Sequence, residues 1–340
     1  MRSPCAVLRL TLASLLTLAL IAPALAQPPP AAALERMAAQ ASALSRSHAL
    51  MVAVDGETVI EEGFRGHTTA GTANIKSLSK TVISALVGIA IERGVIESVD
   101  QPIVELLGNR VPADTDPRVE TITVGQLLSM QAGLERTSGA NYGGWVTSAN
   151  WIRNALTRPF VAEPGGRMLY STGNSHLLSA ALTEASGRST LALAREWLGT
   201  PLGIAIPPWT RDPQGIYFGG NEMGFTPRAL LRFAELYRLG GSLDGERVLS
   251  TAWIMASWQP RTHSFFNGND YGYGWFLTEI AGEPAYYGWG YGGQLLYVIP
   301  SQAMSVVMTS DPTPPSNGSA YNARVEFLIA ELIEAMRDGK

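Results

Sequence analysis

The chain has 340 residues, 46% of them hydrophobic and 16% charged, with a formal net charge of −4. That composition supports a sizeable buried core in one large domain or two small ones. Such mild acidity gives no electrostatic case for nucleic acid or anionic lipid, and neither is an expected partner.

In chain order, Arg2 and Arg9 flank the start of an apolar run from Leu10 to Ala22, and Ala24-Leu25-Ala26 supplies small residues for cleavage. The pattern predicts a secretory leader over residues 1–26. The run is too short for comfortable spanning of a bilayer of roughly 30 Å, so no stable membrane span is expected after cleavage. The expected location is periplasmic or secreted. Gln27 to Ala33 reads as a linker, and residues 34–340 as one domain. The one cysteine, Cys5, falls in the leader, which leaves the mature chain without disulfide or thiol nucleophile.

Leu34 to Ser47 reads as an amphipathic helix. A hairpin follows, from the apolar Leu50 to Val54 through the Asp55-Gly56 turn to Thr58 and Phe64. Thr81 to Ile91 is apolar nearly all round, as in a helix buried on every side, with Gly94 as its cap. Helical stretches then dominate: Val124 to Met130, Asn150 to Leu156, Ser175 to Ala185, Thr190 to Leu198, Pro227 to Leu239 and Thr251 to Trp258. Strand character returns at Gly274 to Ile280, Pro284 to Trp289, Gln294 to Ile299 and Ala303 to Thr309, before a helix from Ala323 to Met336. Strands at both ends predict an α+β fold: a mainly antiparallel sheet flanked by helices, with a helical region of about residues 99–258 inserted.

The chain has three lysines against 22 arginines, and two of the three, Lys76 and Lys80, bracket Ser77. Arginine keeps its proton under ordinary conditions, whereas a desolvated lysine can lose one. If a helix begins near Ser77, Lys80 stands one turn later on the same face. The helix N-terminus there favours a developing alkoxide, and the amine stands beside a hydroxyl that needs an adjacent base to become nucleophilic. Ser79 points elsewhere. Four scattered histidines show no metal-ligand spacing, and no glycine-rich phosphate cradle occurs, so no cofactor and no metal is expected.

In these segments the chain resembles the serine hydrolases of the β-lactamase and penicillin-binding family. The similarity runs from about His48 to Thr309 through KSLSKTVISALVGIAIERGVI, TVGQLLSMQAGL, EPGGRMLYSTGNSHLLSAALTEASG, GWGYGGQLLYVIP and SVVMTS. It is nearest in wording to the esterase and 6-aminohexanoate-dimer hydrolase branch. The resemblance implies a β-lactamase/transpeptidase-like fold and an acyl-enzyme mechanism with Ser77 as nucleophile and Lys80 as its partner. Tyr170 matches the family's catalytic tyrosine, and nearby ammonium groups would favour its phenolate. Thr172 stands where the family usually has asparagine.

For the family's third motif the best match is Tyr291-Gly292-Gly293, whose glycines would let substrate approach the strand closely. The resemblance then implies an oxyanion hole from the N–H groups of Ser77 and Gln294. Tyr291 supplies no cation where the family's usual lysine meets a substrate carboxylate, which costs roughly 1.5–3 kcal/mol of anion recognition. Both departures favour an ester, a linear amide or a short peptide-like substrate. The alternatives are a β-lactamase or D-alanyl-D-alanine peptidase, and a catalytically degenerate binding protein. Tyr142, Trp145, Trp209, Asp212, Asn221 and Trp289 lie in segments whose glycines and aromatics suit a cleft wall.

Overall fold

A computed structural model describes residues 29–315 and 318–339. The expected leader lies outside them. The first helix, Ala31–Ala43, starts and ends earlier than its apolar pattern suggested. Pro30 sets its entry and accepts from the Ala33 and Leu34 N–H groups, and by Ser47 the chain is already a strand.

The central strands are apolar at nearly every position because both faces of the sheet are covered there. In Ser47–Val54, Leu50, Val52 and Val54 join one core while Met51 and Ala53 join the other. Gln294–Ile299 divides in the same way, with Leu295, Tyr297 and Ile299 on one side and Leu296 and Val298 on the other. This follows from the two-residue period of a strand. The first face carries the terminal helices Ala31–Ala43 and Ala320–Asp338; the second carries Ser79–Glu92, Pro227–Arg238 and the inserted helical region.

Eight strands form the sheet, in the order Glu57–Gly63, Ser47–Val54, Met304–Ser310, Gln294–Ile299, Glu283–Gly290, Phe276–Ile280, Asp270–Tyr271 and Thr262–His263. Every neighbouring pair is antiparallel. Ser47 lies opposite Ser310 and Val54 opposite Met304, so the two chain ends meet in the sheet as expected. The last two strands were not foreseen; two residues each are too few to show an alternation. Among the described residues no helix is long and apolar enough to cross a membrane.

The helix Ser79–Glu92 buries every residue from Ser79 to Ala90. Gly94, at φ 68°, closes its end through an N–H bond to the Ile91 carbonyl. Two hydroxyls seat the helix on the sheet side: Thr81 donates to the Gly274 carbonyl at 2.8 Å and Ser84 to that of Tyr273 at 2.7 Å. Close approach also requires glycine in the strand beneath. A Cβ on Gly288 would stand 2.1 Å from Leu78 Cδ1, and one on Gly290 would stand 2.1 Å from the Ile75 carbonyl oxygen.

Candidate active site

Ser77 sits in a single 3₁₀ turn, Lys76–Leu78, that runs directly into the buried helix. The turn is fastened at several points. Lys76 takes φ 50°, its N–H donates to Asn74 Oδ1 at 3.0 Å, and its carbonyl accepts from Ser79 Oγ at 2.6 Å. Ser79 thus braces the turn and does not face the site. The two-residue strand Ala73–Asn74 pairs with Gly224–Phe225, bringing the 220–225 segment alongside.

Lys80 is buried, and its Nζ lies 3.0 Å from Ser77 Oγ. It also reaches the Gly220 carbonyl at 2.7 Å and Thr172 Oγ1 at 3.4 Å. Burial alone lowers its ammonium from the usual 10.5 to about 7. A neutral amine has two N–H donors and one lone pair. Gly220 and Thr172 can take the donors, which leaves the lone pair for the Ser77 hydroxyl proton. Thr172 begins the helix Thr172–Ser186 and is held by Ser138, whose Oγ is 2.9 Å from Thr172 Oγ1 and accepts from Thr172 N–H at 2.9 Å.

Tyr170 is hydrogen-bonded to Ser77, and its ring centroid lies 5.0 Å from Lys80 Nζ. Phe276 stacks on that ring, and Phe266 and Tyr271 meet it edge-on. This apolar packing overturns the expected phenolate. Burial pushes the phenol well above its usual value, and the bond to Ser77 opposes that only in part. Burial thus favours the neutral phenol of Tyr170 and the neutral amine of Lys80.

Lys76, unexplained by sequence, forms an ion pair with Glu222 at 3.0 Å. Asn74 Nδ2 donates to the other Glu222 oxygen at 2.6 Å. Asn221, the neighbour of Glu222, donates from Nδ2 to the Tyr142 hydroxyl at 2.8 Å, so these two candidate wall residues do meet. Trp145, Trp209 and Asp212 instead lie in the core. Trp145 packs edge-on to His176, Trp209 tilts against Tyr217, and Asp212 pairs with buried His176 at 3.0 Å. Trp289 packs against Phe266 and Phe276, behind the aromatic cover of Tyr170.

Tyr291-Gly292-Gly293 forms the turn between Glu283–Gly290 and Gln294–Ile299, closed by the Gly293 N–H to the Gly290 carbonyl at 3.2 Å. Tyr291 is half exposed. The need for glycine here differs from the one expected. Both glycines have positive φ, and a Cβ would strike Pro312 from Gly292 and the Tyr321 ring from Gly293. They admit neighbouring protein segments. Gln294 is buried, and its side-chain amide clasps Ser310, donating to the carbonyl at 2.5 Å and accepting from the N–H at 3.1 Å. Gly220, Ser138 and Glu222 were missed by sequence reasoning. No local spacing marks them, because each lies far along the chain from the lysine or threonine it supports.

The beta-lactamase family profile matches residues 34–331. The chain is 32% identical over 144 residues to a Dichelobacter nodosus protein assigned as fimbrial assembly protein FimD, serogroup H1, covering 40% of this chain and 36% of that one. The chain thus spans less than half the length of that curated relative. Among solved structures, a Bacillus anthracis protein assigned as a 6-aminohexanoate-dimer hydrolase superposes with TM-score 0.69 at 19% identity, covering 85% of this chain and 80% of that one. EstCE1, a hydrolase with promiscuous acyltransferase activity, superposes with TM-score 0.73 at 19% identity, covering 88% and 98%. At such identities the likeness establishes the fold, which is β-lactamase/transpeptidase-like as the motifs implied.

Proposed function

Since the chain belongs to the beta-lactamase family, we propose that it is a serine hydrolase that cleaves an ester or a linear amide through an acyl-enzyme. The observation that carries this reading is the desolvated Lys80 amine, lowered to about 7 and 3.0 Å from Ser77 Oγ. The Ser77 oxygen attacks the substrate carbonyl carbon while its proton passes to Lys80. The N–H groups of Ser77 and Gln294 receive the oxyanion; losing one such donor costs about 2.7–4 kcal/mol. As the carbonyl re-forms, the bond to the leaving oxygen or nitrogen breaks. Tyr170, still protonated and bonded to Ser77, gives its proton to that atom and is resupplied by the Lys80 ammonium. Water then releases the acyl group from Ser77 with the same groups acting in reverse.

Tyr291 in place of a lysine supports esters and linear amides over β-lactams, and the leader pattern at residues 1–26 supports export. The test is turnover of p-nitrophenyl butyrate, nitrocefin and a 6-aminohexanoate dimer by wild type and Ser77→Ala. Ser77-dependent turnover of the ester or dimer with little on nitrocefin is the expected result. Rapid nitrocefin hydrolysis would move the assignment to a β-lactamase, and full activity in Ser77→Ala would end it.

A further inference from the structure

Beside Tyr170 opens a cavity of about 340 Å³ whose chemistry the hydrolytic groups do not require. Val161, Leu169 and Phe265 give it an apolar wall, and Phe265 is largely exposed to solvent. Two arginines, Arg136 and Arg167, also line it. Among the described residues neither guanidinium forms an ion pair; Arg167 reaches only the Val161 carbonyl, at 3.4 Å. Glu135, the one carboxylate in the lining, is already held by Arg158 at 2.7 Å. The cavity is therefore apolar in its wall and cationic in its charge balance, in a chain whose net charge is −4.

Short stretches of backbone tie both arginines to the reacting groups. Arg167 precedes Tyr170 by three residues. Arg136 precedes by two the Ser138 that holds Thr172, which in turn contacts Lys80. The turn at Tyr291 brings no cation to the site, whereas this cavity beside Tyr170 carries two.

We propose that this cavity receives the leaving half of the substrate, and that this half is an apolar chain ending in a carboxylate. Placing the leaving half here rests on the proposed role of Tyr170 as proton donor to the leaving atom. The apolar stretch packs on Val161, Leu169 and Phe265 while the carboxylate meets the Arg136 and Arg167 guanidiniums, whose planar forks suit a two-oxygen anion.

Binding can be tested without turnover. In the Ser77→Ala protein, N-butyryl-6-aminohexanoate and its methyl ester are compared by isothermal titration. The comparison is repeated after adding Arg136→Gln and Arg167→Gln, with a thermal melt to confirm folding. The acid should bind about tenfold tighter than the ester, a gap the size of one charge-assisted contact, and the gap should close to about twofold without the arginines. No preference for the acid, or a tenfold preference that survives both substitutions, overturns the proposal. Labelling of wild-type Ser77 by a fluorophosphonate separates the two readings. Arginine-dependent acid preference without labelling leaves a carboxylate pocket and ends the hydrolase reading, whereas labelling without acid preference does the opposite.

Discussion

Lys76 and Glu222 face each other across a 3.0 Å ion pair while both hold left-handed backbone angles, φ 50° and 68°. Such angles are uncommon outside glycine and cost of order 1–3 kcal/mol each. Two strained residues are thus joined beside the nucleophile, one immediately before Ser77 and the other two residues after the carbonyl that holds Lys80.

Glu222→Gln should therefore disturb catalysis more than stability. The pair is part-exposed, so its loss should cost no more than about 1 kcal/mol of folding free energy. The turn that aims Ser77 would loosen, and small misplacements at a reacting centre reduce rate steeply. The expected result is a kcat lowered about tenfold with KM and Tm little changed. A large fall in Tm with kcat intact would contradict this role.

The burial of Lys80 predicts two opposite pH effects. In the rate, kcat/KM on an ester should climb with pH and reach half its plateau near 7, the value at which the amine loses its proton. A profile flat between about pH 5 and pH 9 would exclude Lys80 as the base. In stability, the folded value lies below the unfolded 10.5, so the unfolded chain binds more protons between about 7 and 10.5. Stability then rises with pH across that window, and the cost of burying the amine is greatest at pH 7 and below. Lys80→Met should raise Tm near pH 6 and give less as pH approaches 10, while abolishing turnover.

Tyr170→Phe removes a hydroxyl and keeps the ring that Phe276, Phe266 and Tyr271 surround. Folding should survive, and kcat should fall about 10²–10⁴-fold, the range for a positioned proton donor. The check is a Tm measurement beside steady-state rates on an ester. Activity within twofold of wild type would remove Tyr170 from the reaction.

Gly290→Ala places a methyl group 2.1 Å from the Ile75 carbonyl oxygen, a backbone atom that cannot rotate away. Overpacking of this kind costs about 1–3 kcal/mol. Tm should fall by a few degrees and kcat should fall with it, because the strand would lift from the turn that carries Ser77. An unchanged melt would show that the two segments are not held together.

Much of this was legible in the chain. The Ser77 and Lys80 spacing works locally, since three residues along a helix span one turn. The central strands showed themselves as apolar runs because both sheet faces are covered. What sequence could not reveal is action at long range. Gly220 and Glu222 lie some 140 residues from the lysines they serve, and although their glycine-rich segment suggested a cleft wall at Asn221, nothing in it marks the meeting with Lys76 and Lys80. The aromatic segments misled for a related reason: Trp145 and Trp209 fill the core, while Tyr142, on the same short helix as Trp145, bonds to Asn221, the neighbour of the Gly220 that holds Lys80. Composition alone does not separate those outcomes.

The pairing of Ser47 with Ser310 also has a consequence in time. The first hairpin is synthesised roughly 260 residues before its central partner strand, a delay of about 13–52 seconds at 5–20 residues per second. Through that interval the hydrophobic Ser47–Val54 segment has only Glu57–Gly63 to pair with, and the turn bearing Ser77 lacks the strands on which it rests. Closing so long a loop is entropically slow. The nascent chain therefore depends on being shielded from other strand edges until roughly its last 40 residues are made, and the Ser77 turn gains its full support only then.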